Sequence, residues 1–366
     1  MRRLTALAAA LALSACVPPQ ALQTGPNAPP GPQVLVSSLP GWQQDNVAAA
    51  LASFVTSCKA ILLMPPDSPL GGAGLAQARA GQAGLWQPAC TAAEAIAPNN
   101  DTAARQFFES WFDAYAVSGQ ALITGYFEPQ VPGAKNQHPG YNVPLYAQPA
   151  LASLANLPRS AIDGGALYRN APVTAYLTNP VDAFMLQIQG SGRILLPDGN
   201  ILRVGFDGQN GQPYTPIGRV LVQMGALKPE DVSYQSISAW LKANPDQAQS
   251  VMEQNERYVY MRPLGDLPAD EGAPGALGVP LTAQRSVAID QSALPLGAPL
   301  FIATTDPVTG TAMDHLAITQ DTGGGIHGPG RADIFFGAGP DAEQIAGSMR
   351  QPGTLYLLLP KAQPAP

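Results

Sequence analysis

The chain has 366 residues, 46% hydrophobic and only 12% charged, which is enough to bury one large core or two ordinary ones and too apolar for disorder throughout. Its net charge of -7 and pI near 4.9 exclude a nucleic-acid binder, whose affinity rests on clustered Lys and Arg, and no basic run of five or more occurs. Glycine (37) and proline (38) together make about a fifth of the chain, which suits short elements joined by many turns and points to a mainly β fold.

The opening MRRLTALAAALALSAC sets Arg2 and Arg3 before an apolar run from Leu4 to Leu13. This is a secretion signal, too short to span a bilayer. Its end, Leu13-Ser14-Ala15-Cys16, resembles a bacterial lipoprotein cleavage box. Residues 1–15 are therefore read as a signal peptide and Cys16 as the lipidated mature N-terminus, where several acyl chains anchor more stably than one. An ordinary signal peptide cut near Ala15 is the alternative, and it too gives an exported protein. Residues 16–35 are Pro-rich and nearly uncharged, which predicts an extended tether.

Two helical patterns follow, one around Asn46 to Met64 and one beginning near Asn100-Asp101. In the second, Phe107, Phe108, Trp111, Phe112 and Tyr115 recur at helical spacing and are read as core. Between the two, LGGAGLAQARAGQAG predicts a surface loop. Cys58 and Cys90 are an isolated pair in an exported chain, so a disulfide is expected in that oxidising compartment. Two separately buried thiols remain compatible with the spacing.

From Ala121 the pattern changes to short β-type runs: ALITGYFEP, AFMLQIQGSGRILL, NILRVGFDG, RYVYMRP, APLFIATT, HLAITQD, ADIFFG and TLYLLLP. Turn signals such as Pro197-Asp198-Gly199 and Asp207-Gly208 separate them. A helical patch from about Arg219 to Asn255 interrupts the strands. The simplest architecture is a barrel-forming β protein with N-terminal helices.

The stretch QDTGGGIHGPGRADIFFG, residues 320–337, holds Asp321 and Asp333 around a glycine-rich loop. A calcium loop would need several oxygen ligands at alternating positions, and no Asp or Glu lies between these two. His138, His315 and His327 are far from zinc-ligand spacing, so no metal and no cofactor is expected. Asp321-Thr322-Gly323 is the triplet of aspartic proteases, but that chemistry needs a second such carboxylate and none is present. Gly190-Ser191-Gly192 lacks the frame of a serine nucleophile. What remains is carboxylate acid–base chemistry of the kind used on glycosidic bonds. If Arg331 to Phe336 is a strand, Arg331, Asp333 and Phe335 share one face and Ala332, Ile334 and Phe336 the other. Apolar rings and a second carboxylate would raise the pKa of Asp333, and Arg331 would oppose this.

The run Asp321-Thr-Gly-Gly-Gly-Ile-His-Gly, then Arg331-Ala-Asp333 and Phe336-Gly337, resembles the 3D domain, named for three aspartates. LTAQRSVAIDQSALPLG supplies the third, Asp290. Gly125-Tyr126-Phe127-Glu128-Pro129, Leu186-Gln187-Ile188-Gln189-Gly190-Ser191-Gly192 and Phe206-Asp207-Gly208-Gln209-Asn210-Gly211, with Tyr214, Ile217 and Gly218-Arg219, resemble the companion domain of the membrane-bound lytic murein transglycosylase A family. The matches run in order from about Leu122 to Gly339. The loop from Asp321 to Asp333 is one residue longer than that pattern.

The resemblance implies a double-psi β-barrel domain from residues 36–130 plus 255–360, with its 3D segment at 275–340, and an inserted smaller β-barrel domain at 131–254. It implies non-hydrolytic cleavage of the bond between N-acetylmuramic acid and N-acetylglucosamine, giving 1,6-anhydro ends. Asp333 matches the acid/base, with Asp321 and Asp290 as catalytic neighbours. Gly125, Tyr126, Gln189, Ser191, Asn210 and Tyr214 match substrate-binding positions. The implied setting is the outer membrane of a Gram-negative bacterium, with the enzyme facing the periplasm. Peptidoglycan strands are the implied partner, together with proteins of cell-wall synthesis or division. An expansin-like lipoprotein that binds polysaccharide without cutting it is the alternative.

Overall fold

A computed structural model describes residues 31–117 and 119–361; the expected signal peptide, Cys16 and most of the tether lie outside them. The chain begins one sheet with β1 (Gln33–Val34), β2 (Phe112–Ala116) and β3 (Ala121–Glu128). It leaves for a second sheet with β4 (Gln130–Ala134), β5 (Val143–Tyr146), β6 (Val173–Leu177), β7 (Ser191–Leu195), β8 (Ile201–Gln209) and β9 (Val259–Pro263). It then returns to the first with β10 (Ser286–Ile289), β11 (Pro299–Thr305), β12 (Ala312–Thr322), β13 (Arg331–Ala338) and β14 (Arg350–Pro360).

The first sheet has the order β1-β2-β14-β11-β12-β10-β13-β3, and β14 pairs again with β3. One end of β14, Arg350 to Gly353, lies on β3, while Thr354 to Leu357 lie on β11. Six strands therefore close into a mixed barrel, which removes their edges. The second sheet has the order β5-β6-β4-β7-β8-β9. Because β9 pairs with β8 through Pro263, the smaller sheet extends beyond the expected return at residue 255.

Asn46 accepts from the Ala49 N–H and so starts helix Val47–Ile61; Asn100 does the same through Ala103 for helix Asp101–Trp111. Phe54, Trp86, Phe107, Phe108 and Phe112 form one buried aromatic group under the barrel, within the larger core that includes Val287, Ile318 and Ile334. Cys58 and Cys90 are bridged, with Cα atoms 5.3 Å apart, tying helix Val47–Ile61 to helix Gln87–Glu94.

Three stretches differ from the expectation. The second helical pattern stops at Trp111, and Phe112 and Tyr115, counted in it, lie in strand β2. The segment read as a loop contains the helix Gly74–Ala80. AFMLQIQ, read as strand, lies in helix Pro180–Gln189. Its apolar run is helical because Asn179 caps the start, Pro180 suits the first turn and Gly190 ends it at φ +81.

Glu128, the last residue of β3, joins the two sheets. Its buried carboxylate accepts from Arg193 of β7 at 2.8 Å, from Arg203 of β8 at 3.0 Å and from the Ala273 N–H at 2.8 Å. The desolvated charge is thus held by two guanidinium groups from the second sheet, the condition under which a buried carboxylate is tolerated.

Candidate active site

β10 lies between β12 and β13, and its Ala288 is opposite Asp321 on one side and Asp333 on the other. Across β13, Thr124 of β3 is opposite Asp333. Thr124, Asp333, Ala288 and Asp321 therefore form one row over four strands. The alternating neighbours Ile123, Ile334 and Val287 belong to the barrel core, so the row is on the outer face. Arg331, Asp333 and Phe335 share this face, as the strand pattern predicts.

Asp321 reaches the row through a β-bulge. Val287 pairs with Thr319 but the next residue, Ala288, pairs with Asp321, so Gln320 is the extra residue. Its buried amide accepts from Ser53 at 3.2 Å and from Ser286, and donates to Ser57 at 2.8 Å and the Ser53 carbonyl at 3.0 Å. The amide network thus anchors the bulge to helix Val47–Ile61 while the following carboxylate is aimed outward.

Asp333 is half-buried, and its Oδ1 accepts from Thr124 Oγ1 at 2.9 Å. Burial pushes its carboxyl up to about 6, Thr124 and Arg331 pull it down, and the Asp321 charge adds to the rise. Arg331 forms no ion pair with Asp333; its guanidinium donates to the Leu122 carbonyl at 2.8 Å and to Thr124 at 3.3 Å. Desolvation therefore prevails over the nearby cation, and a carboxyl in this state can give and retake a proton near neutral pH.

Asp321 is held more tightly. Its oxygens accept from Tyr126 Oη at 2.8 Å and from the N–H groups of Ala276 and Thr322, each at 2.9 Å. Burial raises its pKa and these donors oppose the rise. Tyr126 is itself buried against Phe335, with ring centroids 5.2 Å apart, and burial first and Asp321 second push its phenol well above the ordinary value. Asp290 follows β10 and accepts from Ser292 and, at 2.6 Å, from the Gly328 N–H. Burial acts upward on it, yet those bonds and His327 bring its pKa below the ordinary value. Asp290 thus pins the glycine loop.

That loop faces the connection between β8 and β9. A side chain at Gly324 would collide with the Arg257 guanidinium, and one at Gly325 would stand 2.9 Å from the Tyr214 ring. The glycine run serves close approach. Burial raises the Tyr214 phenol, with Asp333 the next cause, so this tyrosine stands within the field of the carboxylate row.

Of the other expected ligands, Asn210 and Gly125 are committed elsewhere. Asn210 is fully buried; its amide donates to the carbonyls of Leu157 and Glu256 and accepts from the Tyr258 N–H, so it holds a loop and has no capacity for a sugar. Gly125 faces away from the row, where a Cβ would stand 2.8 Å from Ala346 of helix Pro340–Ser348 and 2.8 Å from the Phe336 ring. Gln189 accepts from the Phe127 N–H at 3.0 Å, bracing β3, while its amide nitrogen donates to no group among the described residues. Ser191 is buried in β7. Thr124, Ala288 and Arg257 were not foreseen as site residues, because only cross-strand register and the inter-sheet approach bring them in. Among the described residues no group of three or more His, Cys, Asp or Glu could hold a metal ion.

The MltA specific insert domain matches residues 122–262, and the 3D domain matches residues 285–359. Membrane-bound lytic murein transglycosylase A of Escherichia coli K12 is 32% identical over 248 residues, 66% of each chain. The chain belongs to the membrane-bound lytic murein transglycosylase A family. The relatives in this family are peptidoglycan-cleaving lyases. A membrane-bound lytic murein transglycosylase from Agrobacterium tumefaciens has a TM-score of 0.80 and 29% identity, covering 90% of this chain and 97% of its own. E. coli MltA with bound chitohexaose has a TM-score of 0.69 and 26% identity, covering 95% and 98%. The MltA insert match ends at 262, beside the end of β9, and begins at 122, within β3 of the first sheet.

Proposed function

We propose that this chain cleaves the β-1,4 bond between N-acetylmuramic acid and N-acetylglucosamine in peptidoglycan without water, leaving 1,6-anhydro ends. The observation that carries the reading is Asp333: half-buried, raised to about 6, and held by Thr124 in one row with Asp321. Protonated Asp333 donates to the glycosidic oxygen as the bond to C1 breaks. The C6 hydroxyl of the muramic residue attacks the same C1, and the Asp333 carboxylate takes the hydroxyl proton, so the carboxyl ends the cycle as it began. Asp321 raises the Asp333 pKa, Asp290 holds the loop, and Tyr214 and Arg257, from the connection between β8 and β9, border the site.

Hydrolysis is the competing reading. It would need a second carboxylate near the acid, and Asp321 stands two strands from Asp333 on the same face. Against it, three donors already occupy most of the Asp321 acceptor capacity. Digestion of purified murein separates the two by product mass, because an anhydro end is lighter than a reducing end by one water. Reducing muramic acid as the sole product would defeat the transglycosylase reading.

The six-stranded barrel, residues 36–129 plus 264–360, is assigned the double-psi topology, with 130–263 as the inserted domain. This revises the boundaries expected from sequence so that β9 stays with its sheet. The lipoprotein reading of Cys16 puts the enzyme on the outer membrane facing the periplasm, where its murein substrate lies; proteins of cell-wall synthesis or division are the partners such a place offers.

A further inference from the structure

The second sheet and its helices enclose a cavity of about 970 Å³ that contains none of the three aspartates of the row and loop. Its size is at the upper end for ligand pockets. In a chain of net charge -7 its walls carry Lys135, Arg159, Arg169 and Lys242 against a single acid, Asp163. Lys242 is paired with Asp182 at 2.7 Å, whereas Lys135 and Arg169 make no ion pair among the described residues. With Asp182 set against Lys242, and Asp163 and Glu253 against Arg159, the surplus of positive charge is at the exposed Lys135 and Arg169, where it attracts anions.

Its floor is built. The Arg159 side chain is 2% exposed and lies between the rings of Phe184 and Tyr258, 4.8 and 5.0 Å from their centroids. Its Nε and Nη2 donate to the carbonyls of Asn255 and Arg257 and to Gln187, at 2.7–2.8 Å. Its Nη1 has only Asp163, at 3.9 Å, beyond hydrogen-bond reach. A buried guanidinium thus keeps donors unspent at a cavity wall, where they would suit a carboxylate. Tyr146, Tyr176 and Tyr258 also line the cavity. The floor adjoins the first site: Arg159 binds the Arg257 carbonyl from one side, and the Arg257 guanidinium abuts the Gly324 loop on the other.

We propose that this cavity is a second binding site, taking a short anionic peptide, namely the stem peptide of murein. The assignment rests on murein being the substrate. In murein the muramic lactyl group is amide-linked, so the glycan strand is neutral and the free carboxylates are on the peptide. One carboxylate is placed on Arg159 Nη1, others between Lys135 and Arg169 at the rim, and the peptide backbone along the tyrosine hydroxyls.

The test is calorimetric titration of the whole protein with free murein tetrapeptide, repeated on the Lys135→Glu/Arg169→Glu double variant, whose changes are confined to exposed rim positions. Binding to the wild type, weakened at least 10-fold in the variant, is expected. On peptide-bearing murein the variant should show a raised KM with kcat held. No binding to the wild type, equal binding to the variant, or displacement of the tetrapeptide by peptide-free glycan bearing muramic carboxylates would overturn the proposal. The titration is independent of cleavage: if the wild type cuts no murein yet binds the tetrapeptide, the proposed reaction fails and the cavity stands.

Discussion

Asp333 and Asp321 stand on either side of Ala288, one on β13 and the other on β12, each opposite it in the sheet. The charge of Asp321 contributes to the raised pKa of Asp333. If Asp333 must deliver a proton, kcat/KM should fall as pH rises through about 6. Asp321→Asn removes the neighbouring charge and should move that limb to lower pH. A pH–rate profile on murein checks both, and a limb unmoved by the substitution would remove Asp321 from this role.

Asp333→Asn should abolish cleavage, by about 10²–10⁴-fold or more for loss of a general acid, and should also make the protein more stable at pH 7. An acid whose folded pKa is raised binds its proton more readily folded than unfolded, so ionising it costs stability. That cost is absent below the ordinary value near 4 and complete above about 6. Allowing for partial solvent access, the gain is roughly 1–2 kcal/mol at pH 7 and none at pH 3. Urea unfolding at the two pH values reads it directly.

Thr124 donates to Asp333 at 2.9 Å and favours the charged form. Thr124→Val keeps the shape and removes the donor. The falling limb should then shift to higher pH, opposite in direction to Asp321→Asn, with the fold retained by circular dichroism. Equal profiles for wild type and variant would show that the bond has no influence on the acid.

Glu128 is the buried joint between the sheets, shared by Arg193 and Arg203. Removing it in Glu128→Ala leaves two guanidinium groups without their counter-charge and should cost about 3–5 kcal/mol. A thermal or urea transition displaced by under 1 kcal/mol would contradict this.

Reducing the Cys58–Cys90 bridge, which closes a separation of 32 residues, should cost about 3–4 kcal/mol in the chain-entropy account. Unfolding with and without reductant measures it.

Much of this was legible along the chain. The order of Asp290, Asp321 and Asp333, the caps Asn46 and Asn100 and the alternating faces of Arg331 to Phe336 are local matters. They depend on helical period, strand period and capping, and those lie within a few residues of sequence. The helix Pro180–Gln189 was misread because its interior is apolar enough for a strand, while the deciding Asn179, Pro180 and Gly190 stand at its ends.

The sequence by itself therefore determined the chemistry available, carboxylates on a strand beside a glycine loop in a β-rich chain, and which face of β13 carries the acid. Only the tertiary structure decided that Asp321 shares that face. The bulge at Gln320 does this, and it depends on Ser53, Ser57 and Ser286 receiving an amide from far along the chain. It also decided that Gly324 and Gly325 make room for Arg257 and Tyr214, and that Asn210 is spent on its own loop. Register between distant strands and contact between two sheets are set by packing and hydrogen-bond satisfaction across the whole molecule, and no local period encodes them.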